Sequence, residues 1–193
     1  LAIANAEFTL AGEPYSGYPT FSAPDSFAEY LADCGFDILL AANNHIFDKG
    51  SEGAQRTLDK FRELGVSHGV SYCGLAIDQA DRQKTHPLTI NVKGMNISIV
   101  NFTYGTNLGA DMHWPKVNYM NDRSGLKEAL DKAAESDFTL VLPHWGTEYE
   151  LTHSQQQRET AEWLVANGAD MIIGTHPHVV QDYEKIDGVQ VVY

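Results

Sequence analysis

Short apolar runs, each ended by glycine or a polar cluster, alternate along the chain with longer segments whose apolar residues recur at helical spacing. Residues 1–4, 36–42, 138–143 and 170–173 are too short and too apolar for surface helices, and each predicts a buried strand. Between them, Phe27, Tyr30, Leu31 and Cys34 share one helical face, with Ser22 or Asp25 as the cap and Gly35 as the stop. Further helices are predicted over 51–64, closed by Gly65, over 124–135, and over 154–167, stopped by Gly168. Residues 86–92 and 96–102 alternate around Lys93-Gly94 and predict a hairpin, while 66–77 reads as a short strand with a loop. Two long loops remain, 12–24 and 103–121, the first rich in Pro, Gly and Tyr and placed to lie over a site. Neither repeats nor low-complexity segments interrupt the pattern.

Strands alternating with helices imply a largely parallel sheet, and in such sheets ligands bind outside the carboxyl ends of the strands. Each predicted strand is followed at once by polar residues: Asn5 and Glu7; Asn43, Asn44, His45 and Asp48; His144 and Glu148; His176 and His178. Residues distant in sequence are thereby delivered to one edge. Two imidazoles one residue apart, as in His176-Pro177-His178, can aim at one point, and His, Asn and carboxylate donors together suit Mn, Fe or Zn. Plainer roles compete with this one. Asn43 and Asn44 also suit an Asx turn ahead of the helix at Ser51, and Asp48 a loop or capping carboxylate. Trp145, Trp163 and Phe61 read as core, and His68, His86, His113 and His153 have no partner at ligand spacing.

Charge then narrows the partners. The 193 residues carry 26 acidic against 13 basic side chains, a net charge of -13, which disfavours nucleic acid and anionic membrane surfaces. A polyanionic ligand would need metal ions or a local basic patch. Cys34 and Cys73 lack CxxC spacing and are compatible with one disulfide or with two buried thiols. No apolar run reaches transmembrane length. The first strand has no lead-in and the run 189–193 stops inside another, so the sequence reads as a single domain, 1–193, truncated at both ends.

Asn5-Ala6-Glu7, Ala42-Asn43-Asn44-His45 with Asp48 and Gly50, His144-Trp145-Gly146 with Glu148, and Gly174-Thr175-His176-Pro177-His178 with Gln181 resemble, in order and over nearly the whole chain, the motifs of the CapA family. These capsule-synthesis proteins, associated with poly-gamma-glutamate, are related to calcineurin-like metallophosphoesterases. The resemblance implies an α/β metallophosphatase-like fold, a four-layer αββα sandwich of two mixed sheets flanked by helices, with a dinuclear centre for divalent metals. It implies Glu7, Asn44, His144, His176 and His178 as metal ligands, with Glu7 standing where the related enzymes carry Gly-Asp. It further implies His45 as the group that assists the leaving group, and Asn5, Asn43, Asp48 and Trp145 as residues that contact substrate or support the ligands. Glu148, just beyond His144, is placed either to orient a ligand histidine or to act as a base. Two function classes follow: a metal-dependent hydrolase or transferase acting on a phosphoester or a peptide-like amide, and a non-catalytic component of cell-surface polymer synthesis or export that keeps the metal pocket for binding. The expected partners are a cell-surface polymer or its precursor and a membrane synthesis complex. The expected location is extracytoplasmic, with an anchor outside this sequence.

Overall fold

Burial on both faces is what the predicted apolar runs require, and the computed structural model provides it in two main sheets. It describes residues 1–108 and 113–193; positions 109–112, part of the predicted 103–121 loop, lie outside the described residues. The chain divides into two units, Leu1–Thr85 with Gly105–Val117, and His86–Tyr104 with Asn118–Tyr193.

In the first unit β1 (Ile3–Asn5), β2 (Ile38–Leu40) and β3 (Ser71–Cys73) form a sheet in that order, parallel throughout. All three residues of the central β2 are buried, which is why that run is continuously apolar rather than alternating. Two helices, α1 (Asp25–Asp33) and α2 (Gly50–His68), supply the connections, and Leu58, Phe61 and Leu64 of α2 are buried. A short antiparallel pair, β4 (Leu75–Ala76) with β7 (Lys116–Val117), and the helix α3 (Gln79–Thr85) complete this unit.

In the second unit the sheet order is β10-β11-β9-β8-β6-β5, with β5 (Leu88–Val92), β6 (Met95–Thr103), β8 (Phe138–His144), β9 (Met171–Ile173), β10 (Tyr183–Ile186) and β11 (Val189–Val192). The inner four strands run parallel, and β5 and β10 join antiparallel at the two edges. The hairpin between β5 and β6 turns at Lys93 and Gly94, both with positive φ (53° and 91°). Helices α4 (Arg123–Ala133) and α5 (Gln155–Ala166) bury Leu126, Leu130, Ala161 and Leu164 in a core with Phe102, Val141, Trp145, Ile172 and Val191. Each large side chain so buried contributes about 1.5–3 kcal/mol. The start of α5 is a capping box in which the Ser154 side chain accepts from Gln157 N–H and Gln157 Oε1 accepts from Ser154 N–H.

Several expectations change. Neither Ser22 nor Asp25 caps α1: Pro24 occupies that position without a side-chain bond, and Asp25 sits in the first turn. There Asp25 accepts two hydrogen bonds from Arg56 of α2, which hold its carboxyl below the usual carboxylate range. Helix α2 does not stop at Gly65; it runs one turn further to Gly69, whose φ of 74° forms the left-handed cap. Helix α3, not anticipated, is nucleated where Asp78 Oδ1 accepts from Asp81 N–H, and Asp81 is held by Tyr72 and Arg62. Strand β10 was also not anticipated, because Tyr183–Ile186 is an edge strand with one apolar residue facing in. The cysteines are both free thiols, Cys34 exposed and Cys73 buried, which excludes the disulfide and one of the two buried thiols.

Candidate metal centre

The first unit gathers one polar cluster beyond the adjacent strands β1 and β2. Asn43 forms the Asx turn: its Oδ1 accepts from His45 N–H at 3.0 Å, while its Nδ2 donates to the Ala6 carbonyl at 2.8 Å. Both polar ends of Asn43 are therefore used in joining the two strand-end loops. That turn sets His45, whose Nδ1 lies 2.7 Å from Asp48 Oδ2; the same oxygen accepts from Phe21 N–H at 2.8 Å. With Nδ1 so engaged, Nε2 is the working nitrogen. Asn107 reaches it, with Nδ2 3.5 Å from His45 Nε2 and Oδ1 3.4 Å from Asn44 Nδ2, and the Phe21 ring meets the imidazole edge-on at 4.6 Å. Glu7, half-buried, accepts from Asn5 Nδ2 at 2.9 Å.

The second unit gathers the histidines beyond the adjacent parallel strands β8 and β9. His144 ends β8 fully buried, its Nδ1 3.0 Å from Thr175 Oγ1. Thr175 N–H donates to the Pro143 carbonyl and Trp145 N–H to the Thr175 carbonyl, so the two strand ends stay paired into the loops. Gly174 is required here because a Cβ at this position would meet Trp145 Nε1 and, at 2.8 Å, the Tyr193 carbonyl oxygen. Beyond it His176 and His178 adopt φ of 99° and 57°, and Tyr149 φ of 65°. Non-glycine residues in this region carry about 1–3 kcal/mol of strain each.

Glu148 reaches the same place because the segment carrying it is tethered. Tyr149 N–H donates to the Pro177 carbonyl at 2.8 Å, and buried Gln181 donates to the carbonyls of Glu150 and Thr152 while accepting from Gln157 Nε2. In consequence one ligand atom from each of Glu148, His176 and His178 lies within 4.8 Å of the others. Two donors about 2.1 Å from one ion stand at most about 4.2 Å apart, so a small rotation of the exposed Glu148 and His178 closes the set. Its composition, two imidazoles and a carboxylate, fits a divalent transition metal.

Each expected residue can now be placed. Asn5, Glu7, Asn43, Asn44, His45 and Asp48 belong to the first cluster; His144, Glu148, His176 and His178 belong to the second. Trp145 is core, as its residue type suggests: it is fully buried, stacked on Tyr193 at 5.9 Å, and its indole lies against Gly174. Asn107 and Tyr104 were not singled out as site residues, although both follow β6 as the other clusters follow their strands. The Tyr104 ring lies 4.6 Å from that of His176. His153 makes structural contacts: it meets both Asp182 carboxylate oxygens at 3.0 Å and stacks on Tyr193 at 4.0 Å. His86 is structural, buried with Nδ1 3.0 Å from Asn118 Nδ2.

The chain has an α/β metallophosphatase-like fold. A novel phosphatase from Mycoplasma pneumoniae shares it at a TM-score of 0.59 and 20% identity, over 100% of this chain and 59% of that one. The whole chain, residues 1–193, matches the family described as bacterial capsule synthesis protein PGA_cap, and it belongs to that family. Among curated relatives, PGA biosynthesis protein CapA of Bacillus subtilis (strain 168) is 28% identical over 165 residues, 84% of this chain and 42% of that protein. Capsule biosynthesis protein CapA of Bacillus anthracis is 32% identical over 169 residues, 84% of this chain and 40% of that protein. The chain thus spans about two-fifths of the length of these relatives.

Proposed function

We propose that this capsule-synthesis protein is a divalent-metal-dependent hydrolase acting on a phosphoester or a peptide-like amide of a cell-surface polymer or its precursor, poly-gamma-glutamate first among them. In this reading it works at the outer face of the membrane, in contact with a membrane synthesis complex. The observation that carries it is the convergence of Glu148, His176 and His178, built on three strained residues that packing and hydrogen bonds hold in place. The relatives' names point to the polymer.

Bound divalent ions, two per chain of Mn, Fe or Zn, would supply Lewis-acid activation of a phosphoryl or acyl oxygen and of the attacking water. They would also let a chain with net charge -13 take up a polyanion. The chain's own residues do the rest. His176 and His178 offer ring nitrogens; Glu148 offers a carboxylate as a further ligand. The resemblance gives His45, its Nδ1 held by Asp48, the part of the group that assists the leaving group.

The test is elemental analysis of gently purified protein beside a His176→Ala, His178→Ala double variant, followed by a screen of phosphoesters and γ-linked amides with Mn added. About two ions per wild-type chain, lost in the variant together with activity, is the expected result. Metal-replete protein inert towards every ester and amide removes catalysis and leaves a non-catalytic polymer-binding component. That second reading draws on the hydrogen bond from Asn5, which already engages the Glu7 carboxylate. No metal in either protein removes both.

A further inference from the structure

Tyr104 stands directly after β6, and its backbone N–H donates to the His144 carbonyl at 2.9 Å, so its position is set by the end of the neighbouring strand β8. Its ring is 4.6 Å from the His176 ring at 41°, and 6.3 Å from the His144 ring, almost parallel at 12°. Those two imidazoles are themselves 4.8 Å apart. Tyr104 is 40% exposed, whereas His176 is 6% and His144 0% exposed, so Tyr104 is the outer member of a three-ring cluster.

We propose that Tyr104 is a positioning residue for metal binding by His176, an inference that rests on the metal reading above. Two physical effects converge. The ring blocks rotation of the His176 imidazole about its terminal torsion, which is otherwise broad. Its electron-rich face also favours the positive charge that an imidazole acquires when its nitrogen is given to a cation. Both effects need an aromatic face and neither needs the hydroxyl. The resulting role is of the kind played by groups that orient a ligand histidine, whose loss costs about 10–100-fold in metal affinity.

The experiment is titration of the metal-free full chain with Mn, and with Co for its absorption spectrum, in wild type, Tyr104→Phe and Tyr104→Leu. Leucine fills much of the volume without the aromatic face. Tyr104→Phe is expected within about twofold of wild type, and Tyr104→Leu about 10-fold weaker with a shifted Co spectrum. The melting temperature of metal-free Tyr104→Leu should stay close to wild type, because Tyr104 is 40% exposed and leucine fills much of its covered volume. Equal affinity in Tyr104→Leu and wild type overturns the inference, as does an equal loss in Tyr104→Phe, which would assign the effect to the hydroxyl. Wild-type protein that takes up no metal overturns this inference and the metal reading together, whereas the first two outcomes leave the metal reading standing.

Discussion

At the scale of single residues the second cluster depends on where a side chain is missing. Gly174 has no room for a Cβ because the Trp145 indole and the Tyr193 carbonyl occupy that space, and two residues later His176 takes a φ of 99°. Substituting Gly174→Ala forces the indole or the terminal strand to move, a cost of about 2–3 kcal/mol by analogy with overpacked cores. Urea denaturation should register that loss, and the metal titration should weaken alongside it, since the turn carrying both histidines starts there. Unchanged stability would mean that Trp145 repacks freely, contrary to its full burial. In the first unit, Asp48 Oδ2 meets both the His45 imidazole and the Phe21 amide, so the 12–24 loop and the histidine share one acceptor.

At the scale of elements, α1 and α2 are joined by Asp25, which meets Arg56 through two hydrogen bonds of 2.8 and 2.9 Å and Lys60 at 3.4 Å. Arg56 first, and then Lys60, lower the carboxyl's pKa against an opposing effect of burial. A group whose folded pKa is depressed contributes stability above its unfolded pKa, about 3.9, and loses it as pH falls through the folded value. Asp25→Asn should therefore reduce stability at pH 7, by about 0.5–1 kcal/mol for a partly exposed pair. As pH falls below the unfolded pKa and through the folded one, the gap between variant and wild type should close. Thermal melts across that range decide it, and a gap that persists in acid would assign the effect to packing. Among the second unit's elements the decisive link is short: one hydrogen bond from Tyr149 to Pro177 brings the segment after β8 to the turn after β9.

For the molecule as a whole, the metal reading predicts a linkage between folding and metal. An ion at 100 times its dissociation constant stabilises the state that binds it by about 2.7 kcal/mol. For a chain of this size that raises the melting temperature by about 5–10 °C. The His176→Ala, His178→Ala variant should show none of this rise in Mn. A rise of equal size in the variant would place the responsible site elsewhere. No described helix is long and apolar enough to cross a membrane.

Local pattern determined a good part of this protein. Apolar runs around Leu39, Val141 and Ile172 had to be buried strands, and the polar residues after them had to fall at carboxyl edges, because a period-2 element cannot hide such runs otherwise. The ordered motifs then named the family before any coordinates. Other features were decided only by packing between distant segments. Asp25 reads as a cap in sequence yet serves Arg56, because α2 passes beside it. Helix α2 passes Gly65 because the left-handed turn that ends it is made at Gly69. Tyr104, Asn107 and the link from His153 to Asp182 join elements far apart in the chain, and no local periodicity encodes such pairs. The sequence determined which residue types leave each strand; tertiary structure alone decided which of them meet.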